Sequence, residues 1–193
     1  MKTLRTALIA IALLVSASSF TLGQTYVANL TGAAEVPPVT TNGTGFAQVV
    51  FSLAAHTLTY SVTFSNLTGT TTASHVHASA PPGSNAGVAT QTPSFTGFPL
   101  GVTSGTFNMS FNTLDAASWN STYITNNGGT PAGAEAAFSA ALANGTAYYN
   151  IHTNFAPGGE IRGWFAAVPE TSTALLLAVG AVGAAGAAWR RRR

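Results

Sequence analysis

Four histidines are the only side chains in this 193-residue sequence that ordinarily titrate near neutral pH: His56, His75, His77 and His152. The chain has no cysteine, which excludes thiol nucleophiles, disulfides, iron–sulfur clusters and Cys-ligated zinc. Imidazole is therefore the group on which any metal or proton chemistry would depend.

His75 and His77 are separated by one residue in a segment that is predicted to be a strand. Residues i and i+2 of a strand lie on the same face, so the two rings can converge on one ion. His152 lies in a second predicted strand; if the two strands are neighbours, three nitrogens could bind Zn²⁺ or Cu²⁺, with Glu160 or water completing the site. A simpler role remains open, in which the histidines hydrogen-bond to backbone or carboxylate groups and order loops.

Other chemical signatures are missing. The sequence has neither a Gly-x-Ser-x-Gly elbow nor a phosphate loop, and only 6% of its residues are charged. Residues 24–168 carry four carboxylates and a single arginine, which excludes a basic surface for nucleic acid and leaves no evident acid/base pair: Glu35, Asp115, Glu135, Glu160 and Arg162. We expect a protein that is not an enzyme.

Apolar and hydroxylated residues alternate along several short segments. In residues 57–65, Leu, Tyr, Val and Phe alternate with Thr and Ser, which is typical of a half-buried strand. Further strands are predicted around residues 25–30, 47–53, 72–79, 106–112, 146–153 and 160–166, and a long turn over one end of the sheet at 81–101. A helix is predicted from Pro131 to Gly145, with Thr130 as its cap and Glu135 near the positive end of its dipole. The pattern indicates an all-β fold, an antiparallel Greek-key-like β-sandwich or barrel with one short connecting helix.

Both ends of the chain have the composition of targeting segments. Lys2 and Arg5 precede an apolar run at 7–15, so residues 1–23 are predicted to be a signal peptide, cleaved after Ala17 or, preferably, after Gly23. After the domain (24–166), a linker (167–173) leads to a predicted transmembrane helix (174–189) and a cytoplasmic Arg cluster (190–193).

The linker contains Val168-Pro169-Glu170, and its combination with an apolar helix and terminal arginines resembles the PEP-CTERM sorting signal of Gram-negative bacteria. The resemblance implies an exosortase-type membrane protease as a partner, which cuts near the Pro-Glu motif. Thr171 stands where that signal has its second proline. An ordinary single-span anchor is the alternative.

Four motifs between residues 25 and 165 resemble the CHRD domain. They are LTGAAEVPPV at 30–39, HVH at 75–77, NIHT at 150–153 and PGGEIRG at 157–163. CHRD domains are repeated in chordin, an extracellular protein, and occur singly in many exported bacterial proteins. This chain departs from the pattern by its insertion at 112–145 and its single copy.

The charged residues within these motifs suggest an ion pair. Glu160 and Arg162 are two residues apart on one predicted strand, and pairing of Arg162 with Glu35 or Glu160 would let a nearly uncharged domain bury both charges. A His-x-His strand in a Greek-key sandwich is also similar to the copper/zinc superoxide dismutase arrangement, a local analogy only.

These observations predict an exported, surface- or matrix-associated domain with an adhesive, structural or binding role. It would be located in the periplasm, on the outer surface or in the extracellular matrix, held at the membrane by its tail. Exopolysaccharide or a matrix protein would be its partner. The alternative is a periplasmic metal-binding or copper/zinc redox protein that uses His75, His77 and His152.

Overall fold

The computed structural model describes residues 23–169, so the predicted transmembrane helix, the Arg cluster and all of the predicted signal peptide except Gly23 lie outside the described residues. Five strands come first: β1 (Gln24–Thr31), β2 (Thr44–Ser52), β3 (Thr57–Ser65), β4 (Thr71–Ala78) and β5 (Gly105–Asn112). Two helices follow, α1 (Ser121–Asn126) and α2 (Pro131–Ala143), and then β6 (Ala147–Thr153), β7 (Ile161–Trp164) and β8 (Ala166–Ala167). Within residues 23–169, none of the helices has the length and apolar character needed to cross a bilayer.

The strands form one antiparallel sheet in the order β4-β6-β7-β1-β2-β3-β5, with β8 added beside β1. Each predicted strand is present, and the alternating residues of β3 point in the predicted directions: Leu58, Tyr60, Val62 and Phe64 are buried. β8 carries the sheet to Ala167, one residue beyond the predicted domain boundary. The all-β antiparallel prediction is confirmed.

The sheet curls on itself into a half-barrel. Strands β3 and β6 have three strands between them, which would place them about 19 Å apart in a flat sheet at about 4.8 Å per strand. The ring centroids of Tyr60 on β3 and Tyr149 on β6 are nevertheless only 6.1 Å apart. The core therefore lies inside the curl, enclosed by a single sheet.

Residues 87–103 cover the exposed edge of β4. The Ala89 nitrogen donates to the Val76 carbonyl and the Phe95 nitrogen to the Ser74 carbonyl, each at 2.9 Å. Phe95 is buried in the core, where its ring lies 4.9 Å from that of Tyr60. The prediction of a turn over one end of the sheet is wrong for this segment, because an unpaired strand edge needs covering and the segment supplies both hydrogen bonds and a core aromatic.

Helix α2 begins and ends as predicted. The Thr130 hydroxyl accepts a hydrogen bond from the Gly133 nitrogen, and Gly145 ends the turn with a φ of 65°. The expected role of Glu135 in the helix dipole is wrong, because no acidic residue lies in the first turn of α2. The buried Glu135 carboxylate instead accepts hydrogen bonds from Thr113 and His56.

The prediction of a single helix is also wrong. The six-residue α1 is capped by the Asn120 side chain, which accepts from the Thr122 nitrogen at 2.8 Å. Its sequence, STYITN, is polar and shorter than two helical turns, so it carries no apolar periodicity from which a helix could be predicted.

Replacing Phe95 with Ala should lower the free energy of unfolding by about 3–5 kcal/mol, because the cavity would open between the two edges of the half-barrel. Phe155→Ala is the matched control: its side chain is half exposed, and a surface change of this kind costs within about 0.5 kcal/mol. Urea denaturation of both variants measures the difference. Equal losses would contradict the assignment of Phe95 to the core.

Candidate metal centre

The predicted histidine cluster forms on the outer face of the sheet, opposite the core. Residues paired directly across neighbouring strands share a face, and the register gives two rows that cross β4, β6 and β7. The first row is His77, Tyr148 and Trp164, and the second is His75, Asn150 and Arg162. The intervening residues, Val76, Tyr149 and Ile151, belong to the core. β4 and β6 are therefore buried on both faces.

Loops cover this outer layer. The Asn85 side chain joins two of them, since its Nδ2 donates to the Val36 carbonyl at 3.1 Å and its Oδ1 accepts from Arg162 Nη1 at 2.8 Å. His75 and Arg162 are consequently buried although they lie on the outside of the sheet.

Each of the three histidines is oriented by one backbone carbonyl. His75 Nδ1 lies 3.1 Å from the Pro93 oxygen, His77 Nδ1 lies 2.8 Å from the Ala86 oxygen, and His152 Nδ1 lies 2.9 Å from the Pro157 oxygen. A carbonyl oxygen only accepts, so each Nδ1 carries the proton and each Nε2 presents a lone pair. This is the arrangement in which proteins hold metal-binding imidazoles.

The three imidazole rings converge. One nitrogen from each of His75, His77 and His152 lies within 4.8 Å of the others, and the Nε2 atoms of His75 and His152 are 2.9 Å apart. His77 Nε2 is buried without a hydrogen-bond partner. Two lone pairs at a distance of 2.9 Å repel each other. Either one ring loses its Nδ1–H hydrogen bond to the backbone carbonyl and donates from Nε2, or a cation lies among the lone pairs.

A proton is a poor candidate for that cation. The pKa of His75 is lowered to about 3, mainly by burial and to a smaller extent by the neighbouring His152 and His77. Burial likewise lowers the pKa of His77 to about 4 and is the main cause that lowers the pKa of His152. The three rings are therefore neutral at ordinary pH, which is the state that ligates metal.

Arg162 supports the cluster from the side. Its guanidinium lies 4.7 Å from the centre of the Tyr148 ring, and that ring stacks on His77 at 4.7 Å with an angle of 8°. The guanidinium also pairs with Glu35, with Nη2 and Oε2 at 2.5 Å. Burial raises the pKa of Glu35, and the hydrogen bond and charge of Arg162 oppose that rise. The predicted pairing of Arg162 thus occurs with Glu35.

Glu160 takes part in neither the ion pair nor the histidine cluster. Its two oxygens accept from the hydroxyls of Thr41 and Thr153 and from the backbone nitrogens of Thr68 and Gly69. Burial alone would raise its pKa, but these four hydrogen bonds outweigh burial and lower it. The predictions of Glu160 as a fourth ligand or an ion-pair partner are therefore wrong, because Glu160 precedes β7 and turns toward Thr153, on the face opposite His152.

Gly159 explains part of the glycine-rich motif. A Cβ on this residue would lie 2.6 Å from the Asn150 side-chain amide and 2.7 Å from Glu35 Oε1, and its φ is 129°. Only glycine fits both the space and the backbone conformation. The contacts of Tyr148 and Asn85 with Arg162 could not be predicted from the sequence, since neither residue belongs to a spacing pattern that indicates ligation.

A search of protein-family models matches this chain to the CHRD domain over residues 26–165. Neither the curated proteins nor the solved structures contain a match.

Removing one partner of the buried ion pair should destabilise the domain more than removing both partners. Arg162→Met leaves the Glu35 charge unpaired and should destabilise the domain by about 3–5 kcal/mol. The double variant Glu35→Gln/Arg162→Met should lose less stability than Arg162→Met alone, and therefore less than the sum of the two single variants, as measured by a denaturation double-mutant cycle. Additive losses would show that the two side chains do not interact.

The metal-free protein should lose stability as the pH falls. Below a pH of about 6.5 the unfolded chain takes up protons on His75 and His77, whereas the folded chain resists them until about pH 3 at His75 and about pH 4 at His77. The stability that depends on the neutral forms of His75 and His77 is fully present above pH 6.5 and is lost as the pH decreases below that value. Urea midpoints between pH 7.5 and 4.5 measure the slope, which His75→Asn/His77→Asn should reduce; a slope unchanged by the double variant would contradict the neutral cluster.

Proposed function

The chain belongs to the CHRD domain family, and from that premise we propose that its domain binds one transition-metal ion through His75, His77 and His152. The observation that carries the proposal is the convergence of three imidazoles, which bring one nitrogen each within 4.8 Å of the others while each Nδ1 is hydrogen-bonded to a backbone carbonyl. If the three histidines served only to order loops, their ring nitrogens would have no need to lie within 4.8 Å of one another.

The donor set suits Zn²⁺ or Cu²⁺. Neutral imidazole is a preferred ligand of both ions, and three such ligands leave a further position for water or an exogenous ligand. Both buried carboxylates of the neighbouring motifs are already engaged, Glu35 by Arg162 and Glu160 by four donors. We therefore propose binding or carriage of the ion, with no general base assigned.

Protein purified without chelators and dialysed against Zn²⁺ or Cu²⁺ should contain about one metal ion per chain, measured by elemental analysis. His77→Asn should abolish this, because Asn can donate to the Ala86 carbonyl in place of Nδ1 but supplies no ligand in place of Nε2.

His56→Asn is the matched control. His56 lies outside the cluster, is partly exposed and has a φ of 53°, which asparagine tolerates. This variant should retain the metal. Retention by both variants, or loss by both, would contradict the assignment.

We further propose that the chain is exported and tethered by its C-terminal segment, with an exosortase-type protease as its processing partner. The support is the layout of the two ends of the sequence together with Val168-Pro169-Glu170. Val168 is fixed to the sheet, since its nitrogen donates to the Thr25 carbonyl at 2.9 Å. A cut after this point would release the whole described domain.

A second candidate function is adhesion to a neutral matrix polysaccharide. Three exposed cross-strand pairs on the outer face of β3 and β5 carry hydroxyl or amide groups and no charge: Thr59 with Ser110, Ser61 with Asn108, and Thr63 with Thr106. Among the charged residues of the described chain, only Asp115 is exposed. A face of this kind offers hydrogen bonds without charge, which suits an uncharged glycan.

The domain should be retained on matrix polysaccharide, and Ser61→Glu should reduce retention by placing a charge in the centre of the face. Ala140→Glu places the same charge on the exposed side of α2 and should bind as the unaltered domain does. Affinity electrophoresis in polysaccharide-containing gels compares the three proteins. Equal mobility shifts would exclude this face as the contact.

A further inference from the structure

Both ends of the described chain lie side by side. Gln24 begins β1 and pairs with Phe51, while Ala167 in β8 pairs with Tyr26. The Gln24 side chain also donates to the Val168 carbonyl at 2.9 Å. We call the end of the half-barrel formed by residues 24, 52–57, 112–114 and 166–168 the proximal end, because both termini leave from it.

Three exposed aliphatic side chains lie at the proximal end. Leu53 follows β2 and is 52% exposed, Leu114 follows β5 and is 45% exposed, and Val168 is 37% exposed. The ends of β2 and β5 meet here because Ser52 and Asn112 both pair with Thr57 of β3.

The rest of this end carries little charge. Helix α2 lies over it, held by the hydrogen bond from Thr113 to Glu135, and the exposed residues of this helix are all alanine. Glu135 is buried. Among the described charged groups at this end, only Asp115 is exposed, and His56 is partly exposed. The Asp115 carboxylate accepts a hydrogen bond from the Ala117 nitrogen at 2.9 Å. A carboxylate at this position limits contact with lipid to the headgroup level.

The sequence places the predicted span close to this end. Only Pro169 and Glu170 separate Val168 from Thr171, where the uncharged stretch of 19 residues begins. Three residue steps extend at most about 10 Å, so a membrane-inserted tail would hold the proximal end near the bilayer surface.

We infer that the proximal end rests on the lipid surface, with Leu53, Leu114 and Val168 in contact with the headgroup region of the bilayer. This inference rests on the proposed tether. Exposure alone does not select the proximal end, because Phe46, Leu100 and Phe155 are comparably exposed toward the other end, near the starts of β2 and β4 and the end of β6. The proximal end is selected because the C-terminal segment continues from it. The hydroxyl face and the histidine cluster then lie on the sides of the half-barrel.

The absence of cysteine allows a direct test, since Leu53→Cys, Leu114→Cys and Leu100→Cys each create a single labelling site. The full chain, labelled with a nitrobenzoxadiazole fluorophore, is reconstituted into vesicles of phosphatidylethanolamine and phosphatidylglycerol that contain headgroup-nitroxide lipid. The labels at positions 53 and 114 should lose most of their fluorescence. The label at Leu100, which is 53% exposed, is the matched control and should keep its fluorescence.

Flotation of the same vesicles separates the two proposals. The full chain should float with the lipid, and a chain that ends at Pro169 should not. Failure of the full chain to float would overturn the tether and the inference that rests on it. Flotation that depends on residues 170–193 but gives equal quenching at positions 53, 114 and 100 would overturn the inference and leave the tether standing.

Discussion

The buried Arg162–Glu35 ion pair supports the whole outer layer of this domain. Arg162 stacks on Tyr148, which stacks on His77, and it also donates to Asn85. Ala86, next to Asn85, supplies the carbonyl that orients His77. A single guanidinium thus joins three strands to two covering loops, and it can be buried because its charge is matched by a carboxylate. The position of the His77 ring follows from this support.

Most of the charged side chains of the described domain are buried. Glu35, Glu135, Glu160 and Arg162 are all buried, and each carboxylate has its own set of donors. Four hydrogen bonds to Glu160 join the two loops that flank it to β6. The surface formed by residues 23–169 is therefore nearly uncharged, which suits contact with neutral glycans better than contact with ionic partners.

Short-range patterns were sufficient to predict the strands, because period-2 alternation directly reflects burial on one face. They were also sufficient for α2, whose cap, proline and glycine are local signals. Contacts between residues far apart in the sequence were harder to predict. The spacing of His75 and His77 showed that two rings share a face, and their meeting with His152 depended on the pairing of β4 with β6. Neither the edge-covering role of residues 87–103 nor the turning of Glu160 away from Arg162 has a local signature, since both depend on which strands become neighbours.

A crystal structure of the domain grown with Zn²⁺, with anomalous scattering recorded at the zinc edge, tests the central claim most directly. We expect one anomalous peak, about 2.0–2.1 Å from the Nε2 atoms of His75, His77 and His152, with all three Nδ1–H bonds to carbonyls intact. The claim would be contradicted by an absent peak together with a ring turned so that His75 and His152 hydrogen-bond to each other.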